Sequence, residues 1–396
     1  MANNTSRGIT YPTSGDAVSP LETVFATMAS TTNTAMGNLA ATDIVSGTLP
    51  IVRGGTGGST QATALAGLGA LDFGKNHIIN GAFDIWQRAT TSSSTTATGY
   101  FADRWRYLLT GGTSKVFTQS RQAFTTPGSA PVAGQEGRFF YRVAVTTTGT
   151  SYTAEVLEQP IEDVRSFANS QATVSFYARV ASGTLSVTPR LIQNFGTGGS
   201  PSGNVTTSAS AVTLTTSWQR FTATINVPTI ATRTIGSNED SSLILSFLLP
   251  NNTLYTMDMW GVQVEAGAVA TNFATSGVSP QAELALAQRY YYRVANSPTA
   301  TCTVATGMRF STTVAWALVP FPQTMRISPT ALETAGTVNV VTTTGLDSSS
   351  TLFGEASTNG ARITCTTTAV AAAGVGVIIR LTGTLSTSYL GFSAEF

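Results

Sequence analysis

The chain has 396 residues, a formal net charge of +1 and only 10% charged residues, so it offers no field to steer it onto nucleic acid or an anionic membrane. At roughly 100 to 200 residues per domain it holds two or three domains, each long enough to bury its own core. Cys302 and Cys365 are too few for a disulfide framework and lack zinc-site spacing, which leaves two free buried thiols as the expectation.

The start, Met1-Ala2-Asn3-Asn4-Thr5-Ser6-Arg7, has no apolar core behind a basic patch, and no later run approaches the roughly 18 apolar residues of a membrane span. The chain therefore reads as neither a secretory precursor nor an integral membrane protein. Thr, Ser, Gly, Ala and Val dominate, and Lys75 and Lys115 are the only lysines, a mix that suits strands and turns better than surface helices. A mean hydropathy of +0.12 with so few charges predicts that apolar surface is buried between subunits. The expected architecture is mainly β: an N-terminal segment with a short coiled-coil helix (1–46), a Gly-rich linker (47–74), a β-sandwich (75–275) and a C-terminal β domain (276–396).

The first element is announced by Ser19-Pro20-Leu21-Glu22, an N-cap Ser, a Pro at the first helical position and a Glu placed to close a capping box. Leu21, Phe25, Met28, Thr32, Ala35 and Leu39 then follow at alternating spacings of four and three, the seam of a coiled coil, with Gly37 a stop. Two heptads are marginal alone, so identical neighbours or a docking surface must hold them; a trimeric base is the expectation, with two-strand pairing open.

Four of the five positions from Gly54 to Gly58 are glycine, which predicts a flexible linker. A phosphate-binding loop would need Lys and then Ser or Thr after the glycines, and the chain continues Ser59-Thr60-Gln61-Ala62. Around the glycines, Gly47-Thr48-Leu49-Pro50 and Ala62-Thr63-Ala64-Leu65-Ala66-Gly67-Leu68-Gly69 resemble a segment recurring in bacteriophage tail fibres.

From Lys75 to Phe273 the apolar period is two. Trp105, Tyr107 and Leu109 alternate with Arg104, Arg106 and Leu108; Val174, Phe176, Ala178 and Val180 with Ser175, Tyr177 and Arg179; Phe221, Ala223, Ile225 and Val227 with Thr222, Thr224 and Asn226. Near Met259-Trp260-Gly261 the phase changes, which predicts a bulge. About 200 residues of this pattern suit a sandwich or jelly roll.

Asn80-Gly81-Ala82-Phe83-Asp84-Ile85-Trp86 at the opening and Tyr255 to Glu265 at the close, with Val174 to Arg179 and Ser217-Trp218-Gln219-Arg220-Phe221 between, resemble the galactose-binding-type jelly roll of carbohydrate-binding modules. The variant beginning Asn76-His77-Ile78-Ile79-Asn80-Gly81 and continuing through Ala102-Asp103-Arg104-Trp105 is similar to one in phage tail fibres. That resemblance implies sugar binding, in which an aromatic face stacks on a pyranose, and the candidates are Trp86, Tyr100, Trp105, Tyr107 and Trp260. It also implies oxygen ligands for a structural calcium at Asp84 and Asp258, although the expectation is a sandwich without metal or cofactor.

Ser279-Pro280 starts a short helix expected to run through Glu283, Leu284 and Leu286 to Arg293. A last β domain follows, with Val314, Trp316 and Leu318 alternating early and Val375, Val377, Ile379 and Leu381 late. Phe321 to Thr330 and Ser388 to Phe396 again resemble the C-terminal domain of phage fibres.

Catalysis finds little footing. His77 is the only histidine, expected as a structural imidazole at the head of an Ile78-Ile79 strand, with no nucleophile elbow in the sequence. Glu155, Glu158, Glu162 and Asp163 are the densest acidic cluster and keep a glycosidase pair open, but the strand-into-turn pattern from Tyr152 to Gln159 is expected to put such charges on a solvated face. The reading is a non-enzymatic fibre of a tailed phage. Residues 1–74 attach to the baseplate, tail tip or another tail protein, and the β domains meet host carbohydrate as a homotrimer assembled in the host cytoplasm and carried on the virion. A capsid decoration fibre, a polysaccharide depolymerase and a free bacterial lectin are the alternatives.

Overall fold

The computed structural model describes residues 3–4, 10–11, 21–37, 74–94, 99–125, 131, 136–295, 301–342, 345–368, 371–382 and 388–396. The Ser19-Pro20 cap, Leu39 and the Gly54 to Gly58 linker lie outside these residues. Contacts divide the chain into two units, Met1–Ala70 and Leu71–Phe396.

In the first unit, β1 (Asn3–Asn4) pairs antiparallel with β2 (Thr10–Tyr11), and α1 spans Leu21–Gly37, ending at the glycine read as its stop. The Thr-rich helix holds because Thr27 Oγ1 donates to the Thr23 carbonyl at 2.7 Å and Thr31 Oγ1 to that of Thr27 at 2.8 Å, so the hydroxyls are satisfied within the helix. Of the predicted seam, Phe25 is 53% exposed while Met28 and Thr32 are half-buried.

The second unit begins with strands β3 (Thr91–Ser94), β4 (Gly99–Tyr100), β5 (Arg106–Thr113), β6 (Val116–Ala123), β7 (Phe139–Thr147), β8 (Thr150–Ile161), β9 (Ser170–Val180) and β10 (Leu185–Asn194). There follow β11 (Val205–Ser208), β12 (Val212–Leu214), β13 (Gln219–Val227), β14 (Ser242–Leu248) and β15 (Tyr255–Ala266). They form two antiparallel sheets, seven-stranded in the order β11-β10-β14-β8-β5-β4 with β12 beside β10, and six-stranded in the order β13-β9-β15-β7-β6-β3. Long strands switch sheets from one to the next, as in a jelly roll, and the inward residues of both faces make one core. Val174, Phe176, Ala178 and Val180 are all within 1% of full burial, and Phe176 meets Phe247 of the opposite sheet edge-on at 4.8 Å. The predicted bulge is present: pairing of β15 with β9 slips between Trp260 and Gln263, where Gly261 takes φ of +63°.

Beyond the sandwich lie α2 (Pro280–Gln288) and strands β16 (Tyr291–Ala295), β17 (Thr301–Arg309), β18 (Val314–Pro320), β19 (Leu332–Ala335) and β20 (Thr337–Thr342). The last strands are β21 (Gly345–Ser357), β22 (Gly360–Thr367), β23 (Gly376–Thr382) and β24 (Tyr389–Ser393). A three-stranded sheet runs β16-β24-β19, and six strands close a barrel in the order β17-β18-β22-β21-β20-β23. Helix α2 starts as read, with Ser279 Oγ accepting from the Ala282 amide at 3.2 Å. It stops at Gln288, short of Arg293, because Tyr291 to Ala295 pair with Tyr389 to Ser393 instead.

Val314, Trp316 and Leu318 do alternate in β18, but they point outward. The barrel interior is lined from that strand by Ala315, Ala317 and Val319, since a six-stranded barrel is too narrow to take an indole. Both cysteines are free; Cys365 is buried, whereas Cys302 is half-buried and departs from expectation.

Within this unit the sandwich is sewn to the three-stranded sheet. Arg104, 1% exposed, pairs with Glu395, donates to the Pro160 carbonyl at 2.5 Å and lies 3.4 Å above the Tyr290 ring. Arg88 lies 3.5 Å above Tyr291, and Arg293 donates to the Gln87 carbonyl at 2.8 Å. Cation–π contacts and charge-assisted hydrogen bonds let these guanidiniums be buried.

Candidate functional site

The segment before the first sandwich strands forms no strand at Ile78-Ile79; it is a stitched turn. Asn76 Nδ2 donates to the carbonyls of Val262 (3.1 Å) and Ala274 (2.8 Å), while its Oδ1 accepts from the amides of Ile78 (2.9 Å) and Val264 (3.2 Å). Gly81 passes so close to the Val262 carbonyl that a Cβ would collide with it. Asn80 takes φ of 59°, and its side chain bonds both backbone groups of Ile85 at 2.9 Å and the Asp103 carbonyl at 3.0 Å. The resemblance motif Asn76 to Gly81 is thus a set of backbone clasps.

Glu283 of α2 ties the helix to this turn, its carboxylate accepting from the amides of Asn80 at 2.5 Å and of Gly277. Burial pushes its carboxyl up, offset in part by those two amides. Between turn and helix remains a cleft of about 400 Å³, walled by Trp86, Ile85, Leu284 and Pro280 and edged by Asp84, Gln87 and Arg138. Trp86 is half-buried: its indole N–H donates to the Phe83 carbonyl at 2.6 Å, and Tyr141 lies near-parallel to it at 6.2 Å. The ring is fixed before any ligand arrives. Asp84 stands on the rim, its carboxyl pushed up by desolvation and pulled down by Arg138 and Arg121. Behind it, burial pushes Asp103 up to about 6, with Arg88 and two hydrogen bonds from Gln87 (2.6 and 3.0 Å) pulling against the shift.

One fixed aromatic ring with an amide, a carboxylate and a guanidinium around a cleft of this volume can stack a sugar ring and satisfy its hydroxyls. Of the five aromatic candidates only Trp86 lines the cleft. Trp105 (1% exposed), Tyr107 (0%) and Trp260 (2%) are core, a correction, because each lies on a phase packed against other rings: Trp105 against Phe83 and Phe247, Tyr107 against Phe117, Trp260 against Phe273. Tyr100 is half-buried in the seam, 5.4 Å from the Arg88 guanidinium, with its hydroxyl 3.4 Å from the Phe396 backbone oxygen.

The acidic cluster also overturns its expectation. Glu155 and Glu158 are 0% and 5% exposed, not solvated. Glu155 accepts from Tyr107 and Tyr255 hydroxyls and pairs with Lys115, itself fully buried; Glu158 pairs with Arg106 at 2.7 Å. Glu162 pairs with Arg289 at 3.0 Å and Asp163 with Arg165 at 2.6 Å, so each carboxylate is engaged by a cation. His77 precedes the turn, its amide donating to the Val264 carbonyl at 3.0 Å. One side of its ring is covered edge-on by Phe167 at 4.5 Å, and that partial desolvation lowers its pKa although the rest of the residue faces solvent. Asp258 is occupied by Arg142 and Arg179, and no group of three or more His, Cys, Asp or Glu gathers among the described residues.

Sequence reasoning missed Gln87, Arg138, Asp103 and Glu283. Their only signals were the Asn80-Gly81 turn dipeptide and the Asp103-Arg104 phrase, whose partners lie far along the chain.

No protein-family model matches the sequence, and no curated protein does. Among solved structures, the chain overlaps a CBM4 structure at 19% identity over 48% of this chain and 98% of that one, with a TM-score of 0.26. It overlaps the family 11 carbohydrate-binding module from Clostridium thermocellum, in complex with a β-1,3-1,4-mixed-linked tetrasaccharide, at 13% identity over 46% and 99%, TM-score 0.28. The enzymatically active domain of tailspike protein 4 from bacteriophage CBA120 overlaps at 13% identity over 49% and 22%, TM-score 0.28.

Proposed function

We propose that this chain is a structural fibre protein of a tailed bacteriophage that holds the particle to host cell-surface carbohydrate and does not cleave it. The observation that carries the binding half is the cleft at Trp86, where a pre-fixed indole is surrounded by Asp84, Gln87 and Arg138. The fibre half rests on the phage-like phrases at Gly47 to Gly69, Asn76 to Trp105, and Phe321 to Thr330 with Ser388 to Phe396. Three copies per fibre raise retention through effective concentration where one sugar site is weak.

Self-association is supported by the apolar row on the barrel exterior. Met308 (50% exposed), Leu318 (63%) and Leu352 (60%) stand outward beside Trp316, on which Phe310 stacks at 3.6 Å. A surface of this kind favours covering by another chain.

The test is a host-glycan array probed with the intact protein and with Trp86→Ala. Loss of about tenfold in apparent affinity is expected from removing a stacking ring. Equal binding by the variant sinks the cleft as the sugar site, and release of reducing ends from a bound polysaccharide sinks the non-enzymatic reading. Antibody labelling on virions separates a tail position from a capsid one.

A further inference from the structure

We propose that the outer face of the six-stranded sheet carries a second saccharide site, separate from the Trp86 cleft and built for acidic sugars. Alternation sets its position: Val143 of β7, Ala178 of β9 and Met257 of β15 point into the core, so Arg142, Arg179 and Asp258 point out. Register sets them side by side, because Asp258 is paired with Arg142 on one neighbour and Arg179 on the other. The three side chains form a row across the middle of the sheet.

In that row one carboxylate serves two guanidiniums. Asp258 accepts from Arg142 Nε at 2.7 Å and Nη2 at 2.9 Å, and from Arg179 Nε at 2.9 Å. The acid lies beneath, 1% exposed, while the Arg142 and Arg179 side chains are 31% and 34% exposed. Net charge on the row is positive, and no protein hydrogen bond occupies the two terminal nitrogens of Arg179 among the described residues. A planar pair of donors, held in place through its own Nε, matches a carboxylate.

Beside these donors stands an aromatic ledge. Trp218 is half-buried, with the Arg179 guanidinium over its ring at 5.0 Å from the centroid, Phe140 edge-on at 5.5 Å and Phe124 at 5.8 Å. Half-buried Tyr177 lies next to it in the same layer, backed by Trp260 at 5.5 Å. A pyranose packed against the outer edge of Trp218, beside the guanidinium that covers its ring, places a ring carboxylate toward the Arg179 fork. A neutral sugar would pack equally well but would leave those donors without an anion, which makes the ledge selective for uronates and sialic acids.

Titration calorimetry on the full chain with tri-galacturonate and 3′-sialyllactose, set against maltotriose and lactose, tests this. At least one acidic probe is expected to bind about tenfold or more tighter than its neutral counterpart, more weakly as salt rises, and without displacement by excess maltotriose. Arg179→Gln should abolish that preference while Arg142 still pairs Asp258. Arg179→Lys, which keeps the charge over Asp258 but loses the planar fork, should weaken it as well and serves if the Gln variant does not fold. Binding of neither acidic probe, equal binding of a neutral counterpart, indifference to both substitutions, or displacement by maltotriose overturns the proposal; the last outcome would move acidic binding to the cleft.

Discussion

Inward positions of the sandwich hold Trp105, Tyr107, Phe176 and Phe247, whereas inward positions of the barrel include Ala315, Ala317, Val319 and Ala361. The barrel's Met308, Phe310, Leu318 and Leu352 are more than 49% exposed. Two facing sheets about 10 Å apart accommodate large rings from both sides, while six strands closed on themselves leave a narrower lumen filled mainly by Ala, Val and Ile, with Arg309 and Phe353 the large side chains on that phase. The same period-two pattern therefore has opposite meaning in the two bodies. In the sandwich its bulky phase is the core; in β18 of the barrel it is the outside.

If that contrast is right, the sandwich should be sensitive to its interior polar groups and the barrel indifferent to its outer apolar ones. The largest effect is expected from Lys115→Met, which strands the Glu155 carboxylate in the sandwich core and should cost about 3–5 kcal/mol in urea unfolding. Adding Glu155→Leu should restore much of it, and a double variant as unstable as the single one would show that packing, not the stranded charge, is at stake.

Next comes Asp103, whose carboxyl is raised from its ordinary value of 3.8 to about 6. A raised acid stabilises the fold fully below the unfolded value, and that stabilisation is lost as pH rises through about 6; the difference is about 3 kcal/mol. Asp103→Asn should flatten this part of the stability curve between pH 4 and 6, and an unchanged slope would place the proton elsewhere. The smallest change is expected from Leu318→Ser with Leu352→Ser: within about 0.5 kcal/mol for folding of a single chain. Sedimentation of the same variant should show weakened self-association, and a wild-type chain that sediments as a monomer would remove the need for a covered barrel face.

Much of the fold was legible because local chemistry and tertiary packing agree. The alternation from Val174 to Val180, the Ser279-Pro280 helix start and the Gly261 bulge each depend on neighbours within a few residues. What was not legible depends on distant partners. Tyr291 to Arg293 reads as the tail of a helix until Tyr389 to Ser393 offers a strand to pair with. Glu155 reads as solvated because nothing nearby in sequence reveals that Lys115, Tyr107 and Tyr255 converge on it. Trp86 was one of five aromatic candidates, and the Ser/Thr-rich loop beside Tyr100 made that residue the more exposed reading; Trp86 became distinct only when Glu283, from a helix nearly 200 residues later, built the opposite wall of its cleft.

The ion pair of Arg104 with Glu395 spans 291 positions of sequence. A guanidinium inside the first β body therefore waits for an acid that follows β24 of the three-stranded sheet, beyond the barrel strands. During synthesis the strands around residue 104 emerge long before that acid does, so the Arg104 guanidinium lacks its charge partner while they pair. The seam at Arg104 is completed only after the barrel strands have been translated, later than the sandwich core it borders.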